Sequence, residues 1–101
     1  MSDSIKVEPA GVAQRDLLRN LLQLYLYDFL EFVAVERDTD GLFIYPYLDH
    51  YWTEPDRFPF LISVEGEHIG FALIREELDP LTNEIAYDLA EFFVMRKFRR
   101  K

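Results

Sequence analysis

Five of the eleven basic residues crowd into the last six positions, as Arg96, Lys97, Arg99, Arg100 and Lys101. Guanidinium and ammonium groups gathered this way can hold an anion, phosphate above all, through charge-assisted hydrogen bonds. A basic block at a chain end is as readily a solvated tail, and composition alone prefers that reading. A second concentration of chemistry lies in Tyr45, Tyr47, His50, Tyr51 and Trp52, with Asp49, Glu54 and Asp56 around them. Aromatic faces attract cations, and an acidic rim adds to that attraction. The competing reading is an aromatic cluster packed over a sheet, and it suits Tyr51 and Trp52 best. His50 reads first as a hydrogen-bonded structural histidine, although titration near neutrality keeps proton transfer open to it. His68 flanks a turn and reads as solvated. No group of residues has the spacing of a metal site, so no metal is expected. No Ser-His-Asp or Cys-His arrangement is suggested.

These residues sit in a chain of 101, which suits one domain spanning 1–101. Half the residues are apolar and 16% are aromatic, ample for a core and against disorder. There is no cysteine, which excludes disulfides and thiolate metal sites. The net charge is −8, and all nineteen acidic residues precede Met95. So acidic a body disfavours nucleic acid as a partner. The start, Met1-Ser2-Asp3-Ser4, lacks the basic residues and apolar run of a signal peptide. No apolar stretch approaches the roughly 20 residues that span a membrane. The expectation is a cytoplasmic protein without a membrane partner.

The elements that must position the chemistry follow from pattern. Ile5 to Glu8 is a short extended run stopped by Pro9 and Gly11. From about Val12 to Glu36, Leu17, Leu18, Leu21, Leu22, Tyr25, Phe29, Phe32 and Val33 recur at helical spacing. This predicts one long helix, or a pair broken near Tyr27 to Glu31, with its broad apolar face on a sheet. Arg37 to Gly41 is a loop. The aromatic segment after it is interrupted by Pro46 and allows a helical turn over Leu48 to Trp52. Phe58 to Glu65 and His68 to Glu77 form a hairpin, with Gly66-Glu67 as its tight turn. Ile85 to Met95 is a long last strand. The pattern is an α+β fold: a strand, a helix or helix pair, then three antiparallel strands with the helices packed on the sheet.

The end of the chain, Ala90-Glu91-Phe92-Phe93-Val94-Met95-Arg96-Lys97-Phe98-Arg99-Arg100-Lys101, resembles the opening of the most diagnostic motif of the GNAT superfamily of acetyl-CoA-dependent N-acetyltransferases. There a strand ends in an apolar triplet with valine, a linking aromatic follows, and Gln/Arg-x-x-Gly-x-Gly/Ala starts a helix. Val94 matches the strand valine, Phe98 the aromatic, Arg99 the Gln/Arg, and Arg100 and Lys101 the variable positions. The element order and the segment Phe60 to Leu73, with its Gly-containing turn and Ile69-Gly70-Phe71-Ala72, are also similar to the family. The chain is therefore expected to be the N-terminal part of such a domain, truncated just before the glycines of the phosphate loop, and weak or inactive alone.

The resemblance implies direct acetyl transfer from acetyl-CoA to an amine. It places the pantetheine arm along the end of the last strand, against the backbone of Phe93, Val94 and Met95. It places the phosphates at Arg99, Arg100 and Lys101, beside the loop and helix N-terminus that would follow. A neutral amine is needed for attack, so a general base helps. The last strand offers Glu91, the favoured one, and Asp88. A regular strand would turn these two to opposite faces, and a bulge would change that. Both are equally readable as solvated or ion-paired carboxylates. The aromatic segment falls where the family binds its acceptor, which assigns Tyr45, Tyr47, His50 and Trp52 to a small-molecule or peptide amine. A competing reading is a non-catalytic binding or interaction module that keeps the front half of the fold. The open edge of the last strand offers such a module a route to a homodimer.

Overall fold

The computed structural model describes residues 4–99. Four strands, β1 (Ile5–Pro9), β2 (Arg57–Val64), β3 (Glu67–Leu78) and β4 (Ile85–Val94), form one antiparallel sheet in the order β1-β2-β3-β4. Helix α1 (Arg15–Phe29) lies on one face, and a single turn, α2 (His50–Thr53), packs beside β2. This is the α+β class and the element order expected.

Local chemistry explains the connections. Val64 pairs with Glu67, so Glu65 and Gly66 turn the chain, one residue earlier than the expected Gly66-Glu67. Glu65 and Gly66 have positive φ, 50° and 86°, as the tight turn between twisted strands demands. A turn of 3-10 helix at Val12–Gln14 leads into α1. Gly11 N–H, left over at that helix start, donates to Gln14 Oε1 at 3.1 Å. Leu18, Leu21, Leu22 and Leu26 make the buried stripe of α1. They meet Leu61, Phe71, Leu73 and Phe93 from the sheet, with Ala10, Leu48 and Tyr51 closing the core.

The helix is shorter than its periodicity. It stops at Phe29, and no second helix continues to Glu36. Residues 30–33 form loose turns, with Leu30 N–H donating to Tyr27 O and Val33 N–H to Phe29 O. Beyond them the chain is claimed by a different partner. Arg37 bridges Phe43, Ile44 N–H donates to Glu36 O, and the Asp38 carboxylate accepts from the N–H groups of Asp40 and Leu42. Gly41, at φ 85°, makes that reversal feasible. This local reversal thus overrides a helical pattern that ends in β-branched residues. The second expected helical turn is present but displaced, at His50–Thr53 instead of Leu48 to Trp52.

The reversal is pinned to the helix. Gln23 Nε2 donates to Phe43 O and Gln23 Oε1 accepts from Phe43 N–H, both at 2.8 Å. That clamp fixes where Tyr45 enters the sheet face. The opposite sheet face, with Ile5, Val7, Ile62, Val64, Phe92 and Val94, meets only the short 3-10 turn Arg96–Phe98, through Lys97 and Phe98, among the described residues.

Candidate active site

A bulge decides which side chains of β4 share a face. Leu73 pairs with Glu91, but the next residue, Ile74, pairs with Leu89, so Ala90 is the extra residue. Past it, Asp88 pairs with Arg75. The inserted residue shifts the alternation by one, so Glu91 and Asp88 both turn toward the helix face. A cleft of about 500 Å³ there is lined by both carboxylates with Tyr45, Tyr47, Tyr51, Arg57 and Arg75.

Glu91 is held from two sides. Tyr25 Oη, on α1, donates to Oε1 at 2.5 Å, and Tyr45 Oη, from the connection, donates to Oε2 at 3.2 Å. Burial, and then the bond to Glu91, push the Tyr25 hydroxyl well above the usual phenol range. Burial, and then the charge of Glu91, do the same to Tyr45. Both phenols therefore stay protonated and donate. A carboxylate offers about four lone-pair sites, so two donors leave Glu91 able to accept another proton or hydrogen bond.

Asp88 is engaged differently. Its Oδ2 accepts from Arg75 Nη2 at 2.6 Å, and this bond raises the Arg75 pKa further. Arg57, opposite Arg75 in the sheet register, stacks over the Tyr51 ring at 5.6 Å. Burial raises the Tyr51 pKa, and the neighbouring Arg57 opposes that rise.

The C-terminal end of β4 borders a second cleft of about 830 Å³. Tyr25, Phe29, Phe32, Phe92, Phe93 and Phe98 make it largely aromatic, and Arg96 and Arg99 line it together with Asp28 and Glu31. Asp28 pairs with Arg96 at 2.7 Å and with Arg99 at 3.1 Å. Arg99 also covers the Phe93 ring, and its Nε donates to Val94 O. Met95 N–H donates to Ile69 O, which makes these two an inward hydrogen-bonded pair. Alternation then turns Phe93 inward as well and leaves the N–H and C=O groups of Phe92 and Val94 facing outward. Of the three backbone positions expected to meet a cofactor, only Val94 has this orientation, and Phe92 joins it.

The other expected site residues separate. Tyr45 and Tyr47 line the smaller cleft, while His50 and Trp52 do not. Trp52 Nε1 donates to Ala10 O at 2.9 Å and ties α2 to the end of β1, a structural task. The His50 ring packs on Tyr47 with its Nδ1 unpartnered. Asp49 pairs with Arg15 at 3.5 Å, away from the cleft. Arg100 and Lys101 lie outside the described residues. Three residues escaped the sequence reading. Tyr25 passed for one more apolar position on α1. Arg57 reads as the end of the loop Thr53 to Arg57, whereas it begins β2, and Arg75 reads as a strand charge, although it follows Phe71 and Leu73 at strand spacing on a buried face, a usable signal. Among the described residues, no cluster of three or more potential metal-ligating side chains occurs, and no helix is long and apolar enough to cross a membrane.

No family model matches this chain, and no curated protein matches it in sequence. Its fold does match solved structures. A ribosomal-protein-alanine N-acetyltransferase from Brucella melitensis biovar Abortus 2308 superposes over 97% of this chain with a TM-score of 0.70 at 18% identity. An aminoglycoside acetyltransferase from an uncultured soil metagenomic sample, solved in complex with trehalose and with sisomicin, superposes over 96% with a TM-score of 0.67 at 12% identity. The chain spans 62% and 60% of those chains. Both neighbours are GNAT acetyltransferases, and the fold described here is the GNAT fold over that span.

Proposed function

We propose that this chain serves acetyl transfer from acetyl-CoA to the amine of an acceptor, with Glu91 as general base. The observation that carries the reading is Glu91 itself: a carboxylate set on a strand bulge, gripped by Tyr25 and Tyr45, facing a cleft on a GNAT fold. Acetyl-CoA supplies a thioester, at which the carbon–nitrogen bond forms, the carbon–sulfur bond breaks, and the thiolate leaves to be protonated by water. Glu91 takes the proton that the amine must lose. Tyr25 and Tyr45 orient the carboxylate, and Asp88 is occupied by Arg75, which makes it the poorer base.

The residues of the larger cleft fit acetyl-CoA. Its aromatic body suits the pantetheine arm, and the outward groups of Phe92 and Val94 can pair with the arm's amides as an added strand does. Arg96 and Arg99 in the lining suit phosphates. Arg99 must exchange its bond to Val94 O for that role. The test is thiol release from acetyl-CoA with a panel of amines, on this chain and on a form of the neighbours' length that contains it. Release that needs the amine and falls at least about a hundredfold in Glu91→Gln supports the reading. An unchanged rate and pH profile in that variant removes Glu91 from the mechanism.

A second reading, a non-catalytic binding module, draws on the apolar sheet face that no α-helix covers and on β4, which pairs only with β3 among the described residues. An open strand edge can pair with a second copy of the chain. Sedimentation that shows a dimer, together with calorimetry that shows no heat with acetyl-CoA in either form, would favour this module over the enzyme.

A further inference from the structure

We propose that the acceptor is an amine that also carries a carboxylate, an amino acid as opposed to a polycation, and that Arg57 and Arg75 form its carboxylate subsite. The assignment of the amine end rests on the acetyl-transfer reading above; the carboxylate subsite stands on its own geometry. Arg57 and Arg75 are direct cross-strand partners in the β2–β3 register. Like charges placed opposite one another weaken a sheet unless an anion lies between them.

The anions present answer this only in part. Asp88 takes one side of Arg75, through Nη2. Glu54 stands 3.6 Å from Arg57 Nε, beyond hydrogen-bonding distance. The Nε atoms of both arginines are shielded from solvent and have no hydrogen-bond partner, so the Nη groups are what a ligand in the cleft would meet. Each guanidinium carries five donors in a planar fork, the shape that accepts a carboxylate through two parallel bonds. Tyr51, buried beneath Arg57, fixes the direction of that fork.

The cleft is also ordered by charge. Arg57 and Arg75 mark one end. Glu91, with Tyr45, marks the other, opposite Leu73. Leu73 and Arg75 are two residues apart on one strand, about 7 Å. Arg57, Arg75, Asp88 and Glu91 sum to zero, so a zwitterion meets complementary charge at both ends. A polyamine would bring cations onto two arginines. Of the acidic rim expected from sequence, Asp49 and Asp56 are absent from the lining, and Glu54 stands behind Arg57 without lining the cleft itself.

The test measures binding without acetyl-CoA, so that it is independent of turnover. A panel of free amino acids, each paired with its decarboxylated amine (L-phenylalanine with 2-phenylethylamine, L-lysine with cadaverine), and spermidine are titrated into the chain by calorimetry and NMR. At least one amino acid should bind about tenfold or more tighter than its amine, the loss expected when a charge-assisted contact is removed. Arg57→Gln and Arg75→Gln should each erase most of that preference, with circular dichroism checking the fold. Amines or spermidine binding as well as the amino acids overturns the proposal, and so does the absence of any amino-acid binding. A preference that survives in both folded variants overturns it too. If a variant fails to fold, the paired ligands on the unaltered chain still decide. Amino-acid preference without acetyl transfer in any form sinks the transferase reading and leaves the subsite standing.

Discussion

The phenol of Tyr25 donates to Glu91 Oε1 at 2.5 Å and so joins helix α1 to strand β4 across 66 residues of sequence. Tyr45 completes the grip from the connection at 3.2 Å. Glu91→Ala removes the shared acceptor of two partly buried hydroxyls. It should destabilise the fold by about 1–3 kcal/mol, the usual penalty of buried donors left unpaired. Glu91→Gln keeps one acceptor oxygen and should cost less. Urea unfolding of both variants checks the ordering, and equal midpoints for Ala and the native residue would show the phenols to be solvated.

Alkaline pH should loosen the same cluster. Tyr25, Tyr45 and Tyr51 hold their protons more tightly in the fold than the ordinary value of 10.0. A raised phenol pKa stabilises fully below the unfolded value, and stability falls as pH rises beyond it, because only the unfolded chain then releases protons. Stability should therefore decline above about pH 10, where ordinary tyrosines titrate. The double variant Tyr25→Phe/Tyr45→Phe should show a shallower decline in melts between pH 9 and 11 (chosen to bracket the value just given). The same slope in both proteins would place the sensitivity elsewhere.

Asp28 and Arg99 should act on acetyl-CoA in opposite directions. Arg99→Ala removes a cation from the lining of the larger cleft and should weaken binding by about tenfold. Asp28→Asn releases Arg96 and Arg99 from their ion pairs and should strengthen it. Both pairs are partly exposed, so the melting free energy should move by less than about 1 kcal/mol. Calorimetry with acetyl-CoA, on the longer form if this chain shows no heat, reads the signs. Weakening by both substitutions would mean that Asp28 positions the arginines instead of competing for them.

Two substitutions test the core beneath the clefts. A Cβ at Gly70 would run into the Phe93 carbonyl, which is backbone and has little room to give. Gly70→Ala should cost about 3 kcal/mol, the upper part of the overpacking range, and should loosen β3 from β4. Leu18 is fully buried, and Leu18→Ala should cost about 3–5 kcal/mol through lost burial and a residual cavity. Hydrogen exchange separates the two effects, since the first should open amides of β4 before those of α1.

Much of this fold is legible in the sequence, because local signals act over a few residues. The leucine spacing from Leu17 to Leu22 specified α1, Gly66 marked the hairpin to within one residue, and the run from Ala90 to Lys101 pointed to the GNAT fold. Periodicity misled where a distant partner outbid it, as when the clamp of Gln23 on Phe43 and the bridge of Arg37 to Phe43 ended the helix at Phe29. The site was legible only in its parts. Glu91 and Asp88 could be named, but the bulge at Ala90 that turns both to one face is a property of strand pairing. Likewise Tyr25 meets Glu91, and Arg57 meets Arg75, only because the sheet and helix bring together residues far apart in sequence. Hydrophobic pattern determines which elements form, and packing alone decides which polar side chains those elements leave facing one another.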